Sequence, residues 1–147
     1  MLALVALVLG AWLWSRGPSA ADRRADVVDA SSRFALALTS YDYRHLDADM
    51  AKVRSMSLAG FRDEYAGLLG TSGVQALKAS RAVSVASVAR GPFVGTLTPD
   101  EARTVTVVQQ KITNKDNPTA RSINTRIELY LVRTSHGWKI DRVSSTS

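Results

Sequence analysis

The apolar and polar positions divide the chain into three stretches of different period. Met1 to Trp14 is apolar without interruption and stops at Ser15-Arg16-Gly17-Pro18. From Ala20 to Ser40 the apolar positions Val27, Val28, Phe34, Ala35 and Leu38 recur with helical spacing, with Ser31 among them. Arg23, Arg24, Asp26, Asp29 and Arg33 fall mostly on the opposite side. This helix is expected to continue from the apolar run across Gly17-Pro18. Leu46, Met50 and Val53 predict a short second helix starting near Asp47, with Asp47 as its cap. A third helix is expected after Ser57, with Phe61, Tyr65, Leu68 and Leu69 on its apolar face, running to about Arg81. Gly67, Gly70 and Gly73 each weaken it by about 1 kcal/mol relative to Ala, so a kink or break is expected there.

Beyond Arg81 the period falls to two. Ala82 to Ala89 alternates and suits a strand, ended by the loop signals Gly91-Pro92 and Thr98-Pro99-Asp100. Thr104 to Thr113 is a second strand. Val105 and Val107 share one face but Val108 and Ile112 the other, a phase slip that predicts a bulge. Lys115 to Pro118 reads as a turn. Ser122 to Thr134 places Ile123, Ile127, Leu129 and Leu131 inward, and Arg126, Glu128 and Tyr130 outward. After Ser135-His136-Gly137, a last strand runs from Trp138 to about Val143. Short turns imply an antiparallel meander of about four strands. Helices followed by strands imply an α+β domain, its three helices packed on one face of a curved sheet.

The apolar run changes the picture of where the domain works. A helix of 14 residues spans about 21 Å, against about 30 Å for a bilayer core. Residues 1–16 are expected to be a membrane anchor that is incomplete at its N-terminal side, with Trp12 and Trp14 suited to the interface. A secretory signal is the competing reading; Ser19-Ala20-Ala21 could serve for cleavage, but no basic leader precedes the run. Residues 17–147 form the soluble domain. Arg16, Arg23 and Arg24 follow the apolar run, and by charge alone would hold that domain in the cytoplasm.

Charge and composition narrow the chemistry. The net charge is +6, yet the basic residues are scattered among acids, with no Lys/Arg block and no aromatic-interleaved basic strand, which argues against a nucleic-acid partner. The chain contains no Cys, so thiolate metal sites and a Cys nucleophile are excluded. The candidate bases are Asp42, His45, Asp47, Asp49, Asp63, Glu64 and Glu128, with His136 in a turn. Each has a simpler role as a cap, a turn residue or a solvated charge. No nucleophile elbow, phosphate loop or dinucleotide fingerprint occurs. No cofactor, no metal and no enzymatic activity are expected.

The order of elements looks like the cone-shaped, nuclear-transport-factor-like fold. Leu38-Thr39-Ser40-Tyr41-Asp42-Tyr43-Arg44, Leu46-Asp47-Ala48-Asp49 and Gly60-Phe61-Arg62-Asp63-Glu64-Tyr65 resemble the Mce-associated membrane proteins of actinobacteria. Thr104 to Val107, Arg126 to Leu129 and Gly137-Trp138-Lys139-Ile140 fit as well, so the resemblance covers about residues 20 to 145. The chain departs in lacking a basic stretch before the apolar run and in its three glycines of helix three. The resemblance implies an extracytoplasmic domain held by one membrane helix. It further implies an accessory role in Mce complexes, which move lipids or sterols through the envelope, with Mce proteins or their permease subunits as partners. The bridging subunit of type IV secretion channels shares this kind of architecture. Tyr41, Tyr43, Phe61, Tyr65, Leu129, Tyr130 and Trp138 are the candidate pocket or interaction residues. Two alternatives stay open: a carrier or isomerase-like enzyme using the cone interior, and a scaffold that self-associates through the sheet face.

Overall fold

The computed structural model describes residues 17–146, so the expected anchor over residues 1–16 lies outside the described residues. Among the described residues no helix is long and apolar enough to cross a membrane. Helix α1 (Ala20–Thr39) is followed by the two-residue strand β1 (Tyr41–Asp42), then α2 (Leu46–Ser55) and α3 (Ala59–Ser80). Strands β2 (Val83–Leu97), β3 (Glu101–Thr113), β4 (Arg121–Thr134) and β5 (Gly137–Thr146) complete the domain. The sheet is antiparallel throughout, in the order β1-β2-β3-β4-β5. The α+β architecture holds, with the short β1 as a fifth strand beyond the about four expected.

Helix α1 does not continue through Gly17-Pro18. Residues 17–19 are non-helical, and Ser19 starts the helix as an N-cap in extended conformation. Its hydroxyl accepts from the Asp22 N–H at 3.1 Å, and the Asp22 carboxylate accepts from the Ser19 N–H at 3.0 Å. This reciprocal capping box satisfies two of the N–H groups that a helix start leaves open. Helix α2 also departs from expectation. Asp47 lies inside its first turn, and His45 occupies the cap position without a side-chain bond. In α3 the break falls at Gly70, whose φ of 46° and ψ of 179° suit only glycine.

The sheet bends because most of its bulges are placed on one strand. All three register shifts between β2 and β3 insert the extra residue into β2, between Val88 and Thr96. The expected bulge in β3 is absent: β3 pairs with β4 without interruption from Glu101 to Ile112. Its inward positions are instead Ala102, Thr104, Thr106, Val108 and Gln110, all buried. The valine phase slip reflects an inner face built partly of threonine. Strand β2 likewise continues through Gly91-Pro92, because the bulges absorb the loop signals within the ladder.

Helix α1 lies across the concave face, in contact with β2, β3, β4 and β5. Val27, Phe34 and Ala35 meet Val108, Ile127, Leu129, Leu131 and Ile140 in one core, joined by Val53 of α2 and Phe61 of α3. Burial of each large side chain here is worth about 1.5–3 kcal/mol. One polar pair crosses that core: the Ser31 and Thr104 hydroxyls are 2.9 Å apart and both fully buried.

Candidate interaction surfaces

The mouth of the cone lies between α3, the end of α1 and strands β4 and β5. Phe34 meets Phe61 edge to face with centroids 5.7 Å apart, and Phe61 stacks on Tyr65 at 6.0 Å. The three rings form a path from the core to the surface. Around Tyr65 lie three clefts that share Tyr65 and Leu69 as a common wall. The most apolar, about 380 Å³, lies at the mouth between Leu38, Phe61, Leu68, Ile127 and Val143. A second, about 210 Å³, is bounded by Tyr41, Leu46, Met50, Val74 and Leu77. The third, about 490 Å³, runs along α2 past Asp47 and Arg54. Burial pushes the Tyr41 and Tyr65 phenols above their usual range, and Asp49 adds to the effect at Tyr65 against the opposing pull of Arg54.

The seven residues singled out from sequence are dispersed. Tyr41, Phe61 and Tyr65 border the clefts. Leu129 is fully buried in the core. Trp138 packs on the core's edge, with the Arg133 guanidinium 5.9 Å from its ring and its Nε1 buried without a hydrogen bond among the described residues. Tyr43 sits apart in the turn before α2, with Arg44 5.7 Å from its ring. Tyr130 lies on the far, convex face of the sheet, as its outward phase predicts.

The acids weighed as bases have structural duties or stand in solvent. The Asp42 carboxylate accepts from the backbone N–H and the guanidinium of Arg44, at 2.9 and 2.6 Å. These bonds, the side-chain one foremost, hold its pKa down at about 2. Asp49 accepts from the Asp42 N–H at 2.9 Å, tying α2 to β1. Glu128 is bridged by Arg103 at 3.0 Å and receives the Tyr130 hydroxyl at 3.1 Å. Asp47, Asp63 and Glu64 are exposed, as are His45 and His136. Of the weighed acids, Glu64 alone borders the mouth cleft. Among the described residues no cluster of three metal-ligating side chains occurs.

The convex face carries a row that sequence reasoning missed. Thr96, Arg103, Tyr130 and Arg142 stand opposite one another across β2, β3, β4 and β5. The Arg142 guanidinium lies 4.1 Å from the centre of the Tyr130 ring. The outward phase of Arg103 and Tyr130 is readable locally. That Arg142 and not Asp141 stands opposite Tyr130 depends on an extra residue in β5 between Ile140 and Arg142, which no local pattern signals.

Comparison with protein families and with curated proteins finds no match. Solved structures do match. An IcmL-like type IV secretion system protein from Legionella pneumophila superposes with a TM-score of 0.74 at 17% identity, over 89% of this chain and 94% of that one. The periplasmic domain of DotI follows at 0.70 and 18% identity, over 90% and 98%. CagV, a VirB8 homolog of the Helicobacter pylori type IV secretion system, matches at 0.68 and 14% identity, over 84% and 98%. This is the nuclear-transport-factor-like fold of those secretion-system domains. The fold is not confined to them: a candidate aromatic ring hydroxylase from Novosphingobium aromaticivorans matches at 0.53 and 18% identity, over 87% and 96%. The fold by itself therefore does not assign a function.

Proposed function

We propose that this chain is a non-catalytic assembly subunit of an envelope-spanning transport complex. Residues 1–16 would anchor it in the cytoplasmic membrane, and residues 17–147 would form its extracytoplasmic domain. The observation that carries this reading is the state of the cone interior. Phe34, Phe61, Ile127, Leu129, Leu131 and Ile140 fill it, each no more than 4% exposed. The Asp42 and Glu128 carboxylates are held by arginines outside that space. An enzyme of this shape needs a base within reach of a bound substrate. The secretion-system domains that share the fold support the same role, and the matched part of DotI is periplasmic.

Within that role, the finer proposal is an Mce-type lipid or sterol transport complex. It rests on the resemblance carried by Leu38 to Arg44 and Gly60 to Tyr65, segments that the fold places together beside the clefts around Tyr65. Purification of the tagged full chain from its native membranes, with quantitative mass spectrometry, tests both levels. Enrichment of Mce proteins or permease subunits is the expected result. Enrichment of secretion-channel subunits would overturn the finer proposal and leave the broader one standing. The chain without any stoichiometric protein would overturn both.

A second reading has a specific observation behind it. The mouth cleft is mostly apolar, and Leu68 beside it is 76% exposed. An apolar ligand could lie there without entering the core, and a Leu68→Glu change would then abolish its retention while leaving protein partners unaffected.

A further inference from the structure

The net positive charge of the described residues lies mostly in the sheet, because acids are fewer there. Residues 17–82 carry nine basic and eight acidic side chains, whereas residues 83–146 carry nine and five. On the convex face the register brings out Arg90, Arg103, Arg126 and Arg142, with Lys111 at one end, against Glu101 and Glu128, and Asp141 borders the same cleft as Arg103 and Arg142. Arg103 is paired with Glu128. Among the described residues Arg90, Arg126 and Arg142 form no ion pair. The face also presents two exposed apolar side chains, Phe93 at 60% and Val85 at 64%.

The rows have an order. Arg103, Tyr130 and Arg142 form one row, and Arg90, Val107 and Arg126 another. Between them lies the row of Phe93, Val105 and Glu128. Successive rows on one face are about 6.8 Å apart along a strand. An extended segment laid along these strands presents its own same-face side chains at that spacing. A sequence of acid, apolar and acid at every second position would therefore meet arginine, Phe93 and arginine in turn.

Resting on the assembly reading above, we propose that the convex face binds an acidic, extended polypeptide segment of a partner subunit. Arg103, with Arg142 in the same row, takes its first carboxylate, Phe93 in the next row takes its apolar side chain, and Arg90 and Arg126, which flank Val107, take its second carboxylate. The guanidinium fork pairs with planar carboxylates in two parallel bonds, which a lysine cannot do. Stacking on Tyr130 restrains Arg142 before binding, so less freedom is lost on docking. A second copy of this chain is a poor occupant, because a two-fold pairing would set arginine rows against arginine rows. A lipid surface imposes no row spacing and does not call for an ordered arginine.

The test uses the full chain in neutral detergent and a short fluorescein-labelled peptide in which Glu and Leu alternate at every second position, with Ser between them. Fluorescence polarisation should show binding that weakens with salt and disappears when Gln replaces Glu. Arg103→Glu and Arg142→Glu should each weaken it by about ten-fold or more. Arg24→Glu on α1 makes the same change in net charge and should leave binding unaltered. Arg142→Gln guards against a folding defect in the charge-reversed variants and should also weaken binding. Equal binding of the Gln peptide, equal loss in Arg24→Glu, or no binding overturns the proposal. So does preferential binding to phosphatidylglycerol vesicles with the same variant profile. Photo-crosslinkers at Ser144 on the sheet and Arg62 on α3 separate this failure from that of the assembly reading. Crosslinks to an Asp- and Glu-rich partner peptide from position 144 support both. Partners captured only from position 62 leave the assembly reading intact and overturn this one.

Discussion

Polar groups inside the core decide more here than their number suggests. The Ser31–Thr104 pair holds α1 against β3 with each hydroxyl satisfying the other. Removing one partner strands the other in an apolar setting, which costs more than the bond is worth. Ser31→Ala is expected to lower stability by about 1–3 kcal/mol, whereas Ser31→Ala with Thr104→Val should recover most of that loss. Chemical denaturation of the single and double variants measures the coupling. At the surface, Asp42 titrates at about 2 because Arg44 stabilises its charged form. A depressed folded-state pKa contributes stability that is present above the ordinary value of 3.8 and is lost as pH falls towards 2. Arg44→Ala should return the Asp42 carboxyl towards 3.8, as read by its carbon chemical shift, and remove that part of the acid dependence. Ser31 is legible from its helical phase, but its partner is not. Thr104 lies 73 positions away, and only the register of the sheet brings the two together.

At the scale of elements, period carries most of the fold. The 3.6-residue spacing of Val27, Phe34 and Leu38 and the alternation of Ile127, Leu129 and Leu131 are strong local signals, and α1 and β4 follow them closely. The weaker places are those where backbone geometry competes with pattern. Gly91 and Pro92 read as a loop that ends the strand, yet β2 passes through them because β3 offers a ladder that tolerates extra residues. Gly91 has a φ of +85°, and a Cβ there would stand 2.8 Å from the Val105 carbonyl oxygen. Gly91→Ala is therefore expected to destabilise the domain by about 1–3 kcal/mol. Gly67→Ala, with open space around it, should be neutral or slightly stabilising. Gly70→Ala should behave like Gly91→Ala, since its φ of 46° with ψ of 179° is closed to alanine. Thermal melts of the three variants side by side check the ranking. The break in α3 was legible as a cluster of three glycines; which of them breaks the helix was not, because only one must turn.

For the whole molecule, the helical layer closes the concave side of the sheet and leaves its convex side to solvent. Fold class and the order of helices before strands are readable from sequence, because each follows from local period. The candidate site is less so. Tyr41, Phe61 and Tyr65 come together around the clefts because the fold brings the start of α3 beside the end of α1. Leu129 and Trp138 are apolar positions of the same appearance, but they serve the core and its edge. A pocket wall and a packed core use the same residue types, so only the packing separates them. The convex arginine row was hidden for another reason: its members lie on three strands and align only after the β5 bulge is placed.

The role proposed for this domain is to hold other proteins and not to hold or convert a small molecule. Native mass spectrometry of the full chain, released directly from its own membranes, tests that role most directly. Ions of the chain with other polypeptides in fixed ratio are expected, with no small molecule retained by the isolated subunit. An isolated chain that carries one compound of constant mass, with no polypeptide partner, would contradict it.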